Sequence, residues 1–181
     1  MPKLYVVRHG QPASEWNQDP DPGLSTLGQS QASEVAMTLS TLSCQDVVSS
    51  PMARAAETAA ISTLDHSIRT EQTIREIPSY WVLSSQRKNW LDRVLRSNWE
   101  DLEPEIKVWR ESLIHWASTI EHNTLAFSHF VVINALIATA TDSEKVVNAL
   151  PDHCAIAEFD VIDGQLHFVG IDRELDSDIM V

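Results

Sequence analysis

Arg8-His9-Gly10 joins three residue types whose chemistry is complementary. Arginine presents a planar fork of donors matched to phosphate oxygens. An imidazole near neutral pH serves as a nucleophile or a proton carrier. Glycine lets the backbone approach a ligand closely. The run before them, Leu4-Tyr5-Val6-Val7, is apolar, aromatic or β-branched and reads as a buried strand. The tripeptide therefore stands where a strand opens at a sheet edge. A strand end with one incidental basic residue is the plain alternative, and three further segments speak against it. Ser49-Ser50-Pro51-Met52-Ala53-Arg54 supplies a second arginine, Arg75-Glu76-Ile77 a carboxylate, and Phe127-Ser128-His129 a second histidine after another apolar run.

Two histidines, two arginines and a glutamate in this order resemble the histidine phosphatase superfamily, which includes the cofactor-dependent phosphoglycerate mutases. Leu24-Ser25-Thr26-Leu27-Gly28-Gln29-Ser30-Gln31-Ala32 is similar to the segment that follows Arg-His-Gly in that family. The resemblance spans residues 3–77 and 123–170. It implies that His9 attacks phosphorus and becomes phosphohistidine, which water then hydrolyses. Arg8, Arg54 and His129 would hold the equatorial oxygens, charge stabilisation that is often the largest catalytic term. Glu76 would protonate the leaving group and then act as base toward water. His9 and His129 would follow neighbouring strands, and the loop Pro151-Asp152-His153 would lie near the pocket.

Several positions depart from the family pattern. Gln11 fits a place where Glu or Gln is common, but Pro12 takes the place of a Ser or Thr and Glu15 that of an Asn. Ser14 or Asn17 are the local substitutes. Phe130-Val131 follows His129 where Gly-Gly is common, which would narrow the pocket or reshape its backbone donors. Asn134 stands where an arginine is common, removing a charge contact to substrate. Gln11, Ser14, Asn17, Phe130 and His153 are thus candidates for lining the pocket.

Other roles remain open for some of these residues. Arg54 also has Glu57 and Glu76 as pairing partners, and Glu57 and Glu71 compete with Glu76 for the acid role. A satisfied core histidine is the alternative for His129. His66, His115, His122 and His167 read as surface or structural. None of the histidines shows metal-ligand spacing, and no cofactor is called for.

The elements that must position these residues alternate strand and helix. Gln11 to Leu24, rich in Pro, Asp and Asn, reads as a loop beside the site. Ala32, Val35, Ala36, Leu39 and Leu42 form a helical stripe. Asp46-Val47-Val48 reads as a short buried strand. Ser50-Pro51 reads as an N-cap followed by a first-turn proline, which puts Arg54 in the first helical turn. His66 to Thr73 is a third strand. Val132, Ile133, Leu136, Ile137 and Ala140 make a helix apolar on one side, opened by His129, whose free backbone donors would meet a phosphate. Ala155 to Val161 and Gln165 to Val169 form a hairpin around Asp163-Gly164. The predicted fold is a three-layer α/β sandwich, with a mostly parallel central sheet and helices on both faces.

Five of the six tryptophans fall within 79–121. Ser84 to Leu95 reads as a short helix, and Trp109, Leu113, Trp116 and Ile120 share one face of another. Core packing is the main reading of this helical insert; a substrate-lining or partner surface is the sharper one.

The 181 residues predict a single domain, 1–181, with that insert. A net charge of −13 opposes binding to nucleic acid or to an anionic membrane. Any anion site must therefore be a local positive island, which requires Arg8 and Arg54 to converge. Cys44 and Cys154 fit no metal or redox motif and read as reduced. Met1-Pro2-Lys3 leads straight into the first strand without a signal peptide or long apolar span, so a cytoplasmic location is expected. The expected activity is hydrolysis of a small phosphorylated substrate by a metal-independent phosphomonoesterase. Three alternatives are a phosphoglycerate mutase-like transferase, a protein phosphohistidine phosphatase and a non-catalytic phosphate-ligand binding module.

Overall fold

The computed structural model describes residues 1–15, 18–63 and 67–176. Its strands are β1 (Lys3–Arg8), β2 (Asp46–Ser49), β3 (Arg69–Thr70), β4 (Thr124–Ser128), β5 (Ile156–Ile162) and β6 (Gln165–Ile171). They form one sheet in the order β3-β2-β4-β1-β5-β6. The first four run parallel, whereas β5 lies antiparallel to β1, and β6 antiparallel to β5. The helices are α1 (Thr26–Ser40), α2 (Ala53–Ser62), α3 (Arg87–Leu95), α4 (Pro104–Ser118) and α5 (Phe130–Ala140).

Strand alternation sends residues to two separate cores, one on each face. Leu4, Val6, Val48 and Ala126 pack with Ile106, Leu113 and α5. Val7, Val47, Leu125 and Phe127 pack with Val35 and Leu39 of α1 and Ala59 of α2. Both faces of the central strands are therefore covered, which is why they read as continuous apolar runs rather than alternating ones. The three-layer α/β expectation holds.

Local chemistry accounts for where the elements begin and end. Ser25 caps α1 by accepting from Gly28 N at 3.0 Å. Ala32, Val35 and Leu39 are buried as the stripe requires, while Leu42 lies past the helix end. Asp163 and Gly164 both have positive φ, 51° and 75°, the twist that a two-residue hairpin needs between β5 and β6.

Four details of the expected elements are corrected. The third strand is only Arg69–Thr70, because Glu71 accepts from Thr73 N and Thr73 Oγ1 and turns the chain into a 3₁₀ segment, Gln72–Ile74. His66 lies outside the described residues. Ser50 is not the cap of α2; the helix starts at Ala53 after Met52, and Asp21 of the preceding loop accepts from Ala53 N at 2.9 Å. Helix α5 is buried all round from Phe130 to Ala138, since it is sandwiched between the sheet and α4. Ser84 to Leu95 divides into a 3₁₀ turn, Ser84–Gln86, and α3.

The tryptophan-rich stretch mostly builds core. Trp90 and Trp99 are buried, and Trp109 and Trp116 pack against the same cluster. Arg110 lies over the Trp99 ring at 4.7 Å. Trp81 remains at the surface beside Tyr80, with ring centroids 4.7 Å apart. Both cysteines are free, and burial pushes the Cys44 thiol up to about 11 and the Cys154 thiol to about 12. No described helix is long and apolar enough to cross a membrane.

Candidate active site

The sheet order brings the chemistry to one edge. Ligands in open α/β sheets bind beyond the carboxyl ends of the strands. His9 follows β1, His129 follows β4, Ser50 and Arg54 follow β2, and Glu76 follows β3. Strands β1 and β4 pair with Arg8 opposite Ser128, and His9 N donates to Ser128 O at 2.9 Å. The two imidazoles therefore lie side by side, ring centroids 5.3 Å apart and planes at 60°. Because β5 runs antiparallel, the loop that feeds it also arrives at this edge and brings His153, 6.1 Å from His9 by ring centroids.

Two hydrogen bonds define the state of His9. Arg54 Nε donates to His9 Nε2 at 3.0 Å. A guanidinium has only donors, so Nε2 must be the acceptor, and the ring proton sits on Nδ1, which donates to Gly10 O at 2.8 Å. Burial, then His129, Arg54 and Arg8, hold His9 well below 6.5, so the ring is neutral at working pH. Gly10 N donates to Thr58 Oγ1 at 3.0 Å. The glycine is required here: a Cβ would stand 2.6 Å from Gly28 O.

His129 is fully buried and neutral, lowered chiefly by burial and then by Arg54. Its Nε2 shares a 2.8 Å hydrogen bond with Ser50 Oγ, which also accepts from Met52 N. His129 Nδ1 is buried without a hydrogen-bond partner among the described residues, as are Arg8 Nε and Arg54 Nη1.

Arg8 is tied into the loop before β5. Its Nη1 donates to Pro151 O at 2.8 Å, its carbonyl accepts from Cys154 N, and its guanidinium lies 5.3 Å over the Phe130 ring. Burial lowers it to about 10, so it remains a cation at neutral pH. Phe130 thus underlies Arg8 in the wall of the site. His153 is lowered to about 4 by burial and then by Arg8, with Asp152 opposing.

Glu76 carries a carboxyl whose environment suits an acid. Burial raises it, against hydrogen bonds from Ile77 N and Val131 N and the nearby Arg54 and Arg8. One backbone donor in the first turn of α5, Val131 N, therefore faces Glu76. Trp109 Nε1 donates to Arg75 O, and Ser128 Oγ to Ile74 O, so the insert and β4 both pin the segment carrying Glu76. The rival carboxylates are occupied: Glu57 accepts from Leu24 N at 2.7 Å, and Glu71 from Thr73 and Arg69.

The remaining candidates are distributed as follows. Gln11 Oε1 accepts from Ser25 Oγ and ties the loop to α1. Ser14 is half-buried in the loop, with no hydrogen bond to His9 among the described residues. Asn17 lies outside the described residues. Asn134 is fully buried and accepts from Asn148 N and Ala149 N at 2.7 and 2.9 Å, so it anchors a loop. Sequence reasoning missed Asp21, whose Oδ1 stands 3.9 Å from Arg54 Nη1, as well as Ser50 and Thr58. The Asp-Pro-rich loop before Leu24 was the only signal for Asp21; nothing in the sequence marked Thr58.

A histidine pair and two buried arginines at the carboxyl edge of a mostly parallel α/β sheet define a protein of phosphoryl-transfer type. The chain belongs to the histidine phosphatase superfamily (branch 1), whose family model it matches over residues 4–172. It is similar in fold to the phosphoserine phosphatase of Entamoeba histolytica in complex with 3-phosphoglyceric acid. There the TM-score is 0.73 at 20% identity, covering 96% of this chain and 98% of that one. For Bacillus stearothermophilus YhfR the TM-score is 0.76 at 18% identity, with 93% and 95% covered. For TTHB049 from Thermus thermophilus the values are 0.65 and 19%, with 93% and 98% covered. No curated protein matches the chain.

Proposed function

We propose that this chain is a metal-independent phosphomonoesterase that hydrolyses a small phosphorylated substrate through a phosphohistidine on His9. The observation that carries the reading is the tautomer of His9: Nδ1 is protonated toward Gly10 O, and the Nε2 lone pair faces the Arg54 guanidinium. A neutral imidazole beside fixed cations is the arrangement an attack on a phosphate dianion needs.

In the first step Arg54 exchanges His9 Nε2 for a phosphoryl oxygen, and Nε2 bonds to phosphorus as the ester P–O bond breaks. Glu76 gives its proton to the departing alkoxide oxygen. In the second step the Glu76 carboxylate takes a proton from water, whose oxygen bonds to phosphorus as P–N breaks. Inorganic phosphate leaves and neutral His9 is restored. Arg8 and Arg54 supply the positive charge that a metal ion supplies in other phosphatases.

A mutase needs added cationic contacts for a sugar acid. Asn134 offers none, since its side chain is spent on Asn148 and Ala149. A binding module has no use for a buried carboxyl raised beside two arginines.

The test is turnover of p-nitrophenyl phosphate, and of phosphoserine, which the histidine-to-alanine mutant of the Entamoeba enzyme binds, each with and without a chelator. Wild-type protein quenched during turnover carries acid-labile phosphate on His9, and His9→Ala loses on the order of 10⁶ in turnover. Retention of activity within about tenfold in His9→Ala, or loss on chelation restored by a divalent ion, refutes the mechanism.

A further inference from the structure

Sheet order divides the site into two sides. Strand β4 flanks β1 on one side, with β2 and β3 beyond it, and from there come His129, Ser50, Arg54 and Glu76. Strand β5 flanks β1 on the other side, and the functional side chains at this edge are Asp152 and His153, in the loop before it. Phosphate-holding and proton-transfer groups thus gather on the β4 side.

The β5 side is built to hold His153 still. Arg8 grips the loop twice, through Nη1 to Pro151 O and through its carbonyl to Cys154 N. Asp152 N donates to Arg173 O, and Arg173 Nη2 donates to Cys154 O at 2.9 Å. Asp152 Oδ1 accepts from His153 N at 2.7 Å. Cys154 takes a positive φ of 59°, so the chain turns immediately after His153.

The side chain held this way makes no hydrogen bond of its own among the described residues. Its Nδ1 stands 3.8 Å from Asp152 Oδ1, beyond hydrogen-bond range, and the side chain is 20% exposed. A rigidly placed, reachable imidazole with both nitrogens unengaged, 6.1 Å from the His9 ring, is positioned to touch what His9 attacks. Beside it the Asp152 carboxylate is 38% exposed.

We propose that His153, with Asp152, forms the leaving-group subsite, selecting phosphomonoesters whose leaving group carries a hydroxyl or ammonium near the ester oxygen and disfavouring those that carry a carboxylate. This rests on the phosphatase reading above. The imidazole offers one donor and one acceptor to such a group. The carboxylate attracts an ammonium, accepts from a hydroxyl and repels a second anion. An analogue without that group leaves the mostly covered His153 imidazole without a partner, which discriminates against it by a modest factor because water still reaches the side chain.

The experiment compares ethyl phosphate, ethanolamine phosphate, glycerol phosphate and phosphoglycolate as substrates for wild type, His153→Ala, His153→Asn and Asp152→Asn. Wild type favours the ammonium and hydroxyl esters over phosphoglycolate. His153→Ala loses roughly tenfold in kcat/KM on those two esters, mainly through KM, and at least fivefold more than it loses on ethyl phosphate. His153→Asn recovers most of the glycerol phosphate activity, since an amide also donates and accepts. Asp152→Asn narrows the gap against phosphoglycolate. Equal losses across all four esters, or no change in any, overturn the subsite while leaving the phosphatase standing. Absence of any turnover by wild type overturns the phosphatase reading and the subsite together.

Discussion

Arg54 Nε and His9 Nε2 are 3.0 Å apart, and the guanidinium donates. The nucleophile's lone pair is thus both exposed by tautomer and covered by the cation that must later hold the phosphoryl group. Binding of a phosphate dianion has to part them. The partnership explains why Arg54 sits in the first turn of α2, with Thr58 one turn on linking its carbonyl to Gly10 N.

Arg54→Ala removes an interaction common to every phosphomonoester. Its kcat/KM falls by about 10²–10³ on alkyl and aryl substrates alike. Arg54→Lys recovers little, because an ammonium lacks the fork that serves His9 and the phosphate together. Steady-state kinetics on both substrate types check this. A loss confined to alkyl esters contradicts it.

Glu76→Gln keeps size and polarity but removes the transferable proton. Alkyl phosphate hydrolysis falls by roughly 10²–10⁴, whereas an activated aryl phosphate, measured where phosphorylation of His9 limits the rate, is affected far less. Wild-type activity on alkyl esters declines as pH rises through the Glu76 pKa, which burial raises above the usual carboxyl value of 4.5. The variant lacks that alkaline limb. A pH–rate profile on both esters decides it; equal losses remove Glu76 from the acid role and leave Asp152 as the next carboxyl to test.

Stability should fall on mild acidification. His9, His129 and His153 are all held below 6.5, with burial the leading cause. Below that value the unfolded chain takes up protons that the folded chain refuses. Their contribution is complete above pH 6.5 and is lost as pH falls, by up to about 1.4 kcal/mol per pH unit for each ring. For His153 the window runs from 6.5 down to about 4. Glu76 opposes the trend, since its raised pKa lets the folded state keep a proton that the unfolded state releases above 4.5. Urea unfolding from pH 7.5 to 4.5 measures the balance, and His153→Asn reduces the slope. A flat profile refutes the assignment of three neutral rings.

Asn134→Leu tests the anchor of the loop leading toward Asp152 and His153. The change leaves Asn148 N and Ala149 N without their acceptor, at a cost of about 2–4 kcal/mol. Denaturant unfolding reads it directly. A loss under about 0.5 kcal/mol shows that water replaces the amide.

The sequence by itself determined the chemical inventory and the periodic elements. Arg8-His9-Gly10 after an apolar run, the β5–β6 hairpin around Asp163-Gly164 and the α1 stripe are all local patterns, set by residue type and neighbour spacing. For 79–121 the sequence favoured core packing, which Trp90 and Trp99 follow, but it did not say which tryptophans would be covered, and Trp81 stays at the surface. Only the tertiary structure decided which of these groups meet. His9 stands next to His129 because β1 pairs with β4, strands more than a hundred residues apart, and no local rule states that pairing. His153 reaches the same edge because β5 runs antiparallel. The cap of α2 is Asp21 from a loop, not Ser50 from its own flank, and Asn134 serves a loop rather than the pocket. A carboxylate, amide or hydroxyl bonds whatever donor or acceptor folding brings within about 3 Å, and that choice is made by packing at long range rather than by adjacent sequence.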